Sequence, residues 1–123
     1  MTDEVRLTEP QRLMLLAVAD TLDGMRAKAE ERGQAHPDVY VTPRQMAQVR
    51  WPDSEAWNRH TSRHDGKSGA AGGTMPMKAA TMLGRLERLG LTREGYGEFA
   101  SHPWRLTAKG ERVVEHLRSL AGH

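Results

Sequence analysis

The sequence predicts an α+β fold, mostly helical, with one small β-hairpin. Three observations carry that class. Four stretches show helix-start signals or apolar residues at helical spacing. Between the third and fourth of them the pattern changes: Leu91-Thr92-Arg93 is short and β-branched, Gly95-Tyr96-Gly97 marks a turn, and Phe99 with the alternating Trp104-Arg105-Leu106 marks a returning strand. The chain also has only 123 residues, enough for one domain with a modest core and too few for two ordinary ones.

The first helix is expected near residues 9–31. Thr8-Glu9-Pro10-Gln11 is a capping box, in which Thr8 caps and Gln11 stands three residues later. Leu13, Leu15, Leu16, Ala17, Val18, Ala19, Leu22 and Met25 spread apolar surface over a wide arc rather than a thin stripe. Two compatible readings follow: a helix buried in its own core, or one whose surplus joins the C-terminal helix in a homodimer. The second places Leu15, Val18, Leu22, Val114, Leu117 and Leu120 in the interface.

Gly33 and Pro37 mark a loop, and Val39-Tyr40-Val41 is a candidate strand to pair with the hairpin. Thr42-Pro43-Arg44-Gln45 starts a second helix, with Thr42 as cap and Pro43 at the first position, which runs through Met46 and Ala47 towards Trp51 and stops before Pro52. Residues 52–74 form an insert: Glu55 to His60 can make a short helix anchored by Trp57, and His64 to Gly73 is a flexible, glycine-rich loop. The insert's Arg59, Arg63 and Lys67 either order against phosphates or belong to an inert surface insertion.

The third helix is expected from about Met75 to Leu89, with Thr74 as cap, Pro76 in its first turn and Gly90 as its stop. Ala79, Met82, Leu83, Leu86 and Leu89 make an apolar stripe, while Lys78, Thr81, Arg85 and Arg88 share another face. The hairpin then lies between Leu91 and Leu106, with Pro103 at a strand entry and Trp104 and Leu106 in the core. Thr107 caps a last helix from about 108 to 121, whose apolar side carries Val113, Val114, Leu117 and Leu120.

LGRLERLGLTREG, followed by WRLTAKG and VVEHL, resembles the recognition helix, wing and following helix of winged helix-turn-helix regulators, most closely the MarR-type and related bacterial regulators. In them a leucine-spaced helix ends in a glycine before the first wing strand, and an LT-x-x-G element leads out of the second. The likeness spans Leu7 to Leu120 and is close after Met77; the long insert between the two helices of the motif departs from it. The resemblance implies a winged helix-turn-helix over residues 1–123, duplex DNA as partner, and a homodimer.

On that reading Lys78, Thr81 and Arg85 are the base-reading residues, with Arg85 suited to a bidentate contact with guanine and Lys78 also suited to a phosphate. Arg88 and Arg93 meet phosphates, joined by Tyr96 and by Arg59, Arg63 and Lys67 if the insert takes part. Two alternatives stand beside this: Arg85 and Arg88 as an ordinary solvated face, and Tyr96 packed on its own hairpin. The wing tip, Glu94 to Glu98, carries two carboxylates and suits phosphate tracking poorly.

Charge is distributed to match. The net charge is +2 overall; residues 1–49 carry −2, residues 50–75 carry +1 and residues 76–123 carry +3. There is no cysteine, which removes disulfides and thiolate metal sites. His60 and His64 stand four apart without a third or fourth ligand, and Arg59 and Arg63 beside them repel a cation, so no metal is expected. No P-loop, dinucleotide fingerprint, serine elbow or histidine–acid constellation is present, so neither catalysis nor a cofactor is expected. No small-molecule effector is implied. With no secretory pattern and no apolar run of membrane-spanning length, a cytoplasmic protein without membrane contact is expected. The expected function is sequence-specific DNA binding as a small dimeric transcriptional repressor; the alternative is a winged-helix protein-interaction module or an accessory factor of replication or a mobile element.

Overall fold

The computed structural model describes residues 6–35, 38–54, 74–95 and 103–121. Their elements follow in the order α1 (Glu9–Glu31), α2 (Pro43–Arg50), α3 (Met75–Arg88), β1 (Thr92–Glu94), β2 (Trp104–Leu106) and α4 (Ala108–Ala121). The described chain is therefore α+β and mostly helical, with one two-stranded antiparallel hairpin.

Local chemistry starts the first two helices. At α1 the Gln11 amide donates to Thr8 Oγ1 at 3.3 Å, and the Thr8 amide donates to Gln11 Oε1 at 3.0 Å. Thr42 and Gln45 repeat the exchange at α2, at 3.2 and 3.4 Å, with Pro43 in the first turn. Each box satisfies amides that the helix itself leaves open.

The start of α3 corrects an expectation. Thr74 makes no side-chain capping bond, because its backbone sits at φ −89°, ψ 2°. A capping side chain reaches the first-turn amides from an extended backbone, which Thr8 and Thr42 have and Thr74 lacks. Only its carbonyl contributes, accepting from the Lys78 amide at 3.0 Å.

The end of α3 is as the sequence predicts. Gly90 stands at φ +80°, a conformation that L side chains rarely adopt. The Leu91 amide donates to the Leu86 carbonyl at 3.0 Å and the Gly90 amide to that of Glu87 at 2.9 Å, the paired bonds of a Schellman stop. Leu91 is thus engaged with the helix, and strand pairing begins one residue later, at Thr92.

The hairpin pairs Thr92 with Leu106, Arg93 with Arg105 and Glu94 with Trp104. A bond from the Gly95 amide to the Pro103 carbonyl, 2.8 Å, closes its far end. The strand expected at Val39 to Val41 is reduced to one antiparallel bridge: Val41 and Trp104 exchange amide–carbonyl bonds of 2.9 and 2.8 Å.

One apolar cluster joins these elements. Met14, Leu15, Val18 and Leu22 of α1 meet Met46 and Ala47 of α2, Ala79, Leu83 and Leu86 of α3, Val113 and Val114 of α4, and Val41, Leu91 and Trp104. Thr92 is buried among them, its hydroxyl satisfied by the Leu83 carbonyl at 3.0 Å. Burial changes the reading of α1. Leu15, Val18 and Leu22 are 0% exposed and Val114 is 3% exposed, so their surface is consumed inside one copy of the chain. Of the six residues expected at a dimer interface, half-buried Leu117 and exposed Leu120 are the two with area left for a partner.

The LT-x-x-G element has a concrete task. The Thr107 hydroxyl donates to the Gly90 carbonyl and accepts from the Gly110 amide at 2.9 Å, while the Thr107 amide donates to the Leu91 carbonyl at 3.0 Å. Lys109 Nζ adds a bond to the Leu89 carbonyl at 3.3 Å. Gly110 permits this closeness, since a Cβ there would stand 2.0 Å from the Leu91 oxygen. The end of α3 and the start of α4 are therefore one hydrogen-bonded joint.

At the other end of the interface between α1 and α4, Arg118 Nη2 donates to Asp20 at 2.6 Å and to Asp23 at 3.0 Å. Donating to the Asp20 carboxylate, and in lesser measure to that of Asp23, raises the Arg118 pKa above its ordinary value. All three side chains are substantially exposed, so this tie adds little to stability. No described helix is long and apolar enough to cross a membrane.

Candidate nucleic-acid interface

α3 builds the candidate surface by its period alone. Ala79, Leu83 and Leu86 are fully buried, and Lys78, Thr81, Arg85 and Arg88 are all exposed. At 3.6 residues per turn those four fall within an arc of roughly 80° on the side away from the buried three. The sequence-predicted base readers and Arg88 are thus brought together on one outward face.

That face is positive without an acidic neighbour on the same arc. Glu87, the one carboxylate in α3, lies off the arc, and its Oε2 accepts from the Glu94 amide of β1 at 3.1 Å. Among the described residues, Arg85, Arg88 and Arg93 form no ion pair. Their charge is available to an anion from outside.

Beside the arc the helix is unusually bare. A Cβ added at Gly84 would meet nothing within 4 Å, so no neighbour in the described chain requires glycine there. A glycine inside a helix costs about 1 kcal/mol relative to alanine. Met77, on the same flank, is 71% exposed. Thr81 spends its hydroxyl proton on the Met77 carbonyl, at 3.0 Å, and turns only lone pairs outward.

Lys78 is placed differently from the expectation of a free base reader. Its Nζ lies over the Trp51 ring, 4.5 Å from the centroid. The Arg50 guanidinium carbon lies 5.9 Å from the same centroid, and Arg50 Nε is buried with no hydrogen-bond partner among the described residues. Trp51 is fixed by its backbone, its amide donating to the Ala47 carbonyl at 2.9 Å and its carbonyl accepting from the Ser54 amide at 3.2 Å. From the sequence alone Trp51 counts only as the end of the second helix. An Arg-Trp pair just before Pro52 was the available signal, since an aromatic face at a helix end offers a seat for cations.

On the hairpin, Arg93 and Arg105 stand directly opposite each other, an unfavourable like-charge pair. Arg105 is relieved by Asp38, whose Oδ1 lies 2.8 Å from its Nη1, and Arg93 is not. Tyr96, Arg59, Arg63 and Lys67, with Trp57, His60 and His64, lie outside the described residues. Compared with known proteins, the chain matches no family model, and no curated protein or solved structure is significantly similar to it.

Proposed function

We propose that this chain is a winged helix-turn-helix protein that binds duplex DNA in a sequence-dependent way, as a small dimeric transcriptional repressor. The observation that carries the reading is the outward arc of α3: Lys78, Thr81, Arg85 and Arg88 exposed together, with the helix's one carboxylate engaged elsewhere. A major groove admits a helix of this kind, and side chains on one face of it reach base edges. Support also comes from order: α2 packs on α3, and the β1–β2 hairpin follows α3 directly, as the wing follows the recognition helix in the regulators this sequence resembles. In this reading Thr81 and Arg85 read bases, Arg88 and Arg93 meet phosphates, and Lys78 serves a phosphate rather than a base.

Dimerisation belongs to the proposal. Leu120 is 64% and Leu13 is 39% exposed, and these with half-buried Leu117 are among the apolar positions that α1 and α4 still offer a second copy. Light scattering at micromolar concentration tests this; a monomer mass with and without DNA removes the dimer from the reading.

A protein-interaction module is the second reading. The Asp38–Arg105 pair and Glu94 favour it, because they leave Arg93 as the unpaired cation of the described hairpin. One experiment separates the two. Duplexes are selected from a randomised pool, and wild type and Arg85→Ala are then titrated against the selected and scrambled sequences at two salt concentrations. Loss of about 1–3 kcal/mol of discrimination in Arg85→Ala is the expected result for a bidentate guanine contact. If wild type enriches no sequence and binds no duplex at low salt, the DNA reading is wrong.

A further inference from the structure

The Trp51–Lys78 contact asks for an explanation beyond packing. Two cations, Lys78 and Arg50, share one indole at 4.5 and 5.9 Å, although like charges repel. Neither forms an ion pair with a carboxylate among the described residues. An indole face attracts an ammonium but does not neutralise it. The junction of α2 and α3 therefore presents ordered positive charge, and ordering matters: a lysine free in solution loses rotamer entropy when it grips an anion, and one already seated on a ring has lost part of it.

We propose that Trp51 is a positioning residue of the α3 interface, its indole holding the Lys78 ammonium as an anchor for one backbone phosphate of duplex DNA. Arg50 is the second cation at that phosphate. This rests on the DNA reading above and adds a division of labour to it: Thr81 and Arg85 carry sequence, and the Trp51–Lys78 pair fixes where α3 stands on the backbone. A phosphate contact carries no sequence information but sets register.

The test is a cycle of variants in the full chain: wild type, Trp51→Leu, Trp51→Phe, Lys78→Met and Trp51→Leu/Lys78→Met. Each is titrated against a labelled duplex over a range of salt. Lys78→Met is expected to lower the slope of log affinity against log salt by about 0.9, the value of one released counterion. Trp51→Leu is expected to weaken binding about threefold when Lys78 is present and clearly less in Lys78→Met, where only Arg50 is left over the ring. Trp51→Phe, which keeps an aromatic face, retains most of the affinity. Equal losses from Trp51→Leu in both backgrounds, or a loss in Trp51→Phe as large as in Trp51→Leu, overturn the proposal.

A readout without DNA protects the test against misfolding and against failure of the DNA reading. In wild type the Lys78 ε-methylene protons are expected to be shifted upfield by the indole ring current in NMR spectra. Absence of that shift overturns the proposal outright. The shift together with no binding to any duplex at low salt overturns the phosphate role and the DNA reading at once. The shift together with normal duplex binding by Lys78→Met, at an unchanged salt slope, overturns the phosphate role alone.

Discussion

The two ends of α3 are held by different physics. At the C-terminal end, Gly90 makes a backbone stop, Glu87 accepts from β1, and Thr107 and Lys109 bond the last carbonyls from the start of α4. At the N-terminal end there is no side-chain cap: the Thr74 carbonyl accepts from the Lys78 amide, Lys78 lies on Trp51, and Met75 and Ala79 pack into the core. Directional bonds fix one end in register with the hairpin and α4. The other end meets neighbouring elements through non-directional attractions, its one cap bond being the local one from the Lys78 amide to the Thr74 carbonyl. The helix is thus anchored where it joins the fold and adaptable where the proposed reading surface begins.

Gly110→Ala should break the anchored end most severely. The new methyl would collide with the Leu91 carbonyl, and since backbone rather than a flexible side chain must yield, a loss of about 3 kcal/mol or more is expected in urea unfolding. Thr107→Val, nearly isosteric, deletes both hydroxyl bonds and should cost about 1–2 kcal/mol in the same measurement. Gly90→Ala forces a side chain into the left-handed region and should cost about 1–2 kcal/mol, read as a fall in Tm. A Gly110→Ala protein that unfolds like wild type would show that α4 does not approach Leu91 as described.

The adaptable end and the bare flank answer with smaller effects, some of opposite sign. Gly84→Ala meets open space, so it should stabilise the fold by up to about 1 kcal/mol. If α3 enters a groove with this flank close to its partner, the same variant binds the selected duplex less tightly, which calorimetry and anisotropy together reveal. The smallest change is expected from Thr74→Ala, within about 0.5 kcal/mol of wild type. Thr42→Ala should lose about 1 kcal/mol, because its cap is made. Equal losses at the two positions would erase the contrast between the helix starts.

Legibility in the sequence followed the range of the forces. The boxes at Thr8–Gln11 and Thr42–Gln45 and the stop at Gly90 are decided within a few residues, and their positions matched. The four exposed positions of α3 were legible for a related reason: period alone separates them from Ala79, Leu83 and Leu86. Thr74 has the right residue type but the wrong backbone, which composition does not encode. Periodicity also marks Leu15, Val18 and Leu22 as apolar without saying whether their partner is the same chain or another; burial assigns them to the same chain. Trp51 with Lys78 and Asp38 with Arg105 are pairings across long separations, and no local rule reaches that far.

The hairpin is tied at both ends of its described strands, by Thr107 to Leu91 at its base and by Gly95 to Pro103 at the far end. A hydrogen-bonded amide exchanges its proton with solvent only when the bond opens, so ties at two ends slow exchange along the paired residues 92–94 and 104–106. The Gly95 and Thr107 amides should therefore take up deuterium together, at the rate at which the whole hairpin opens.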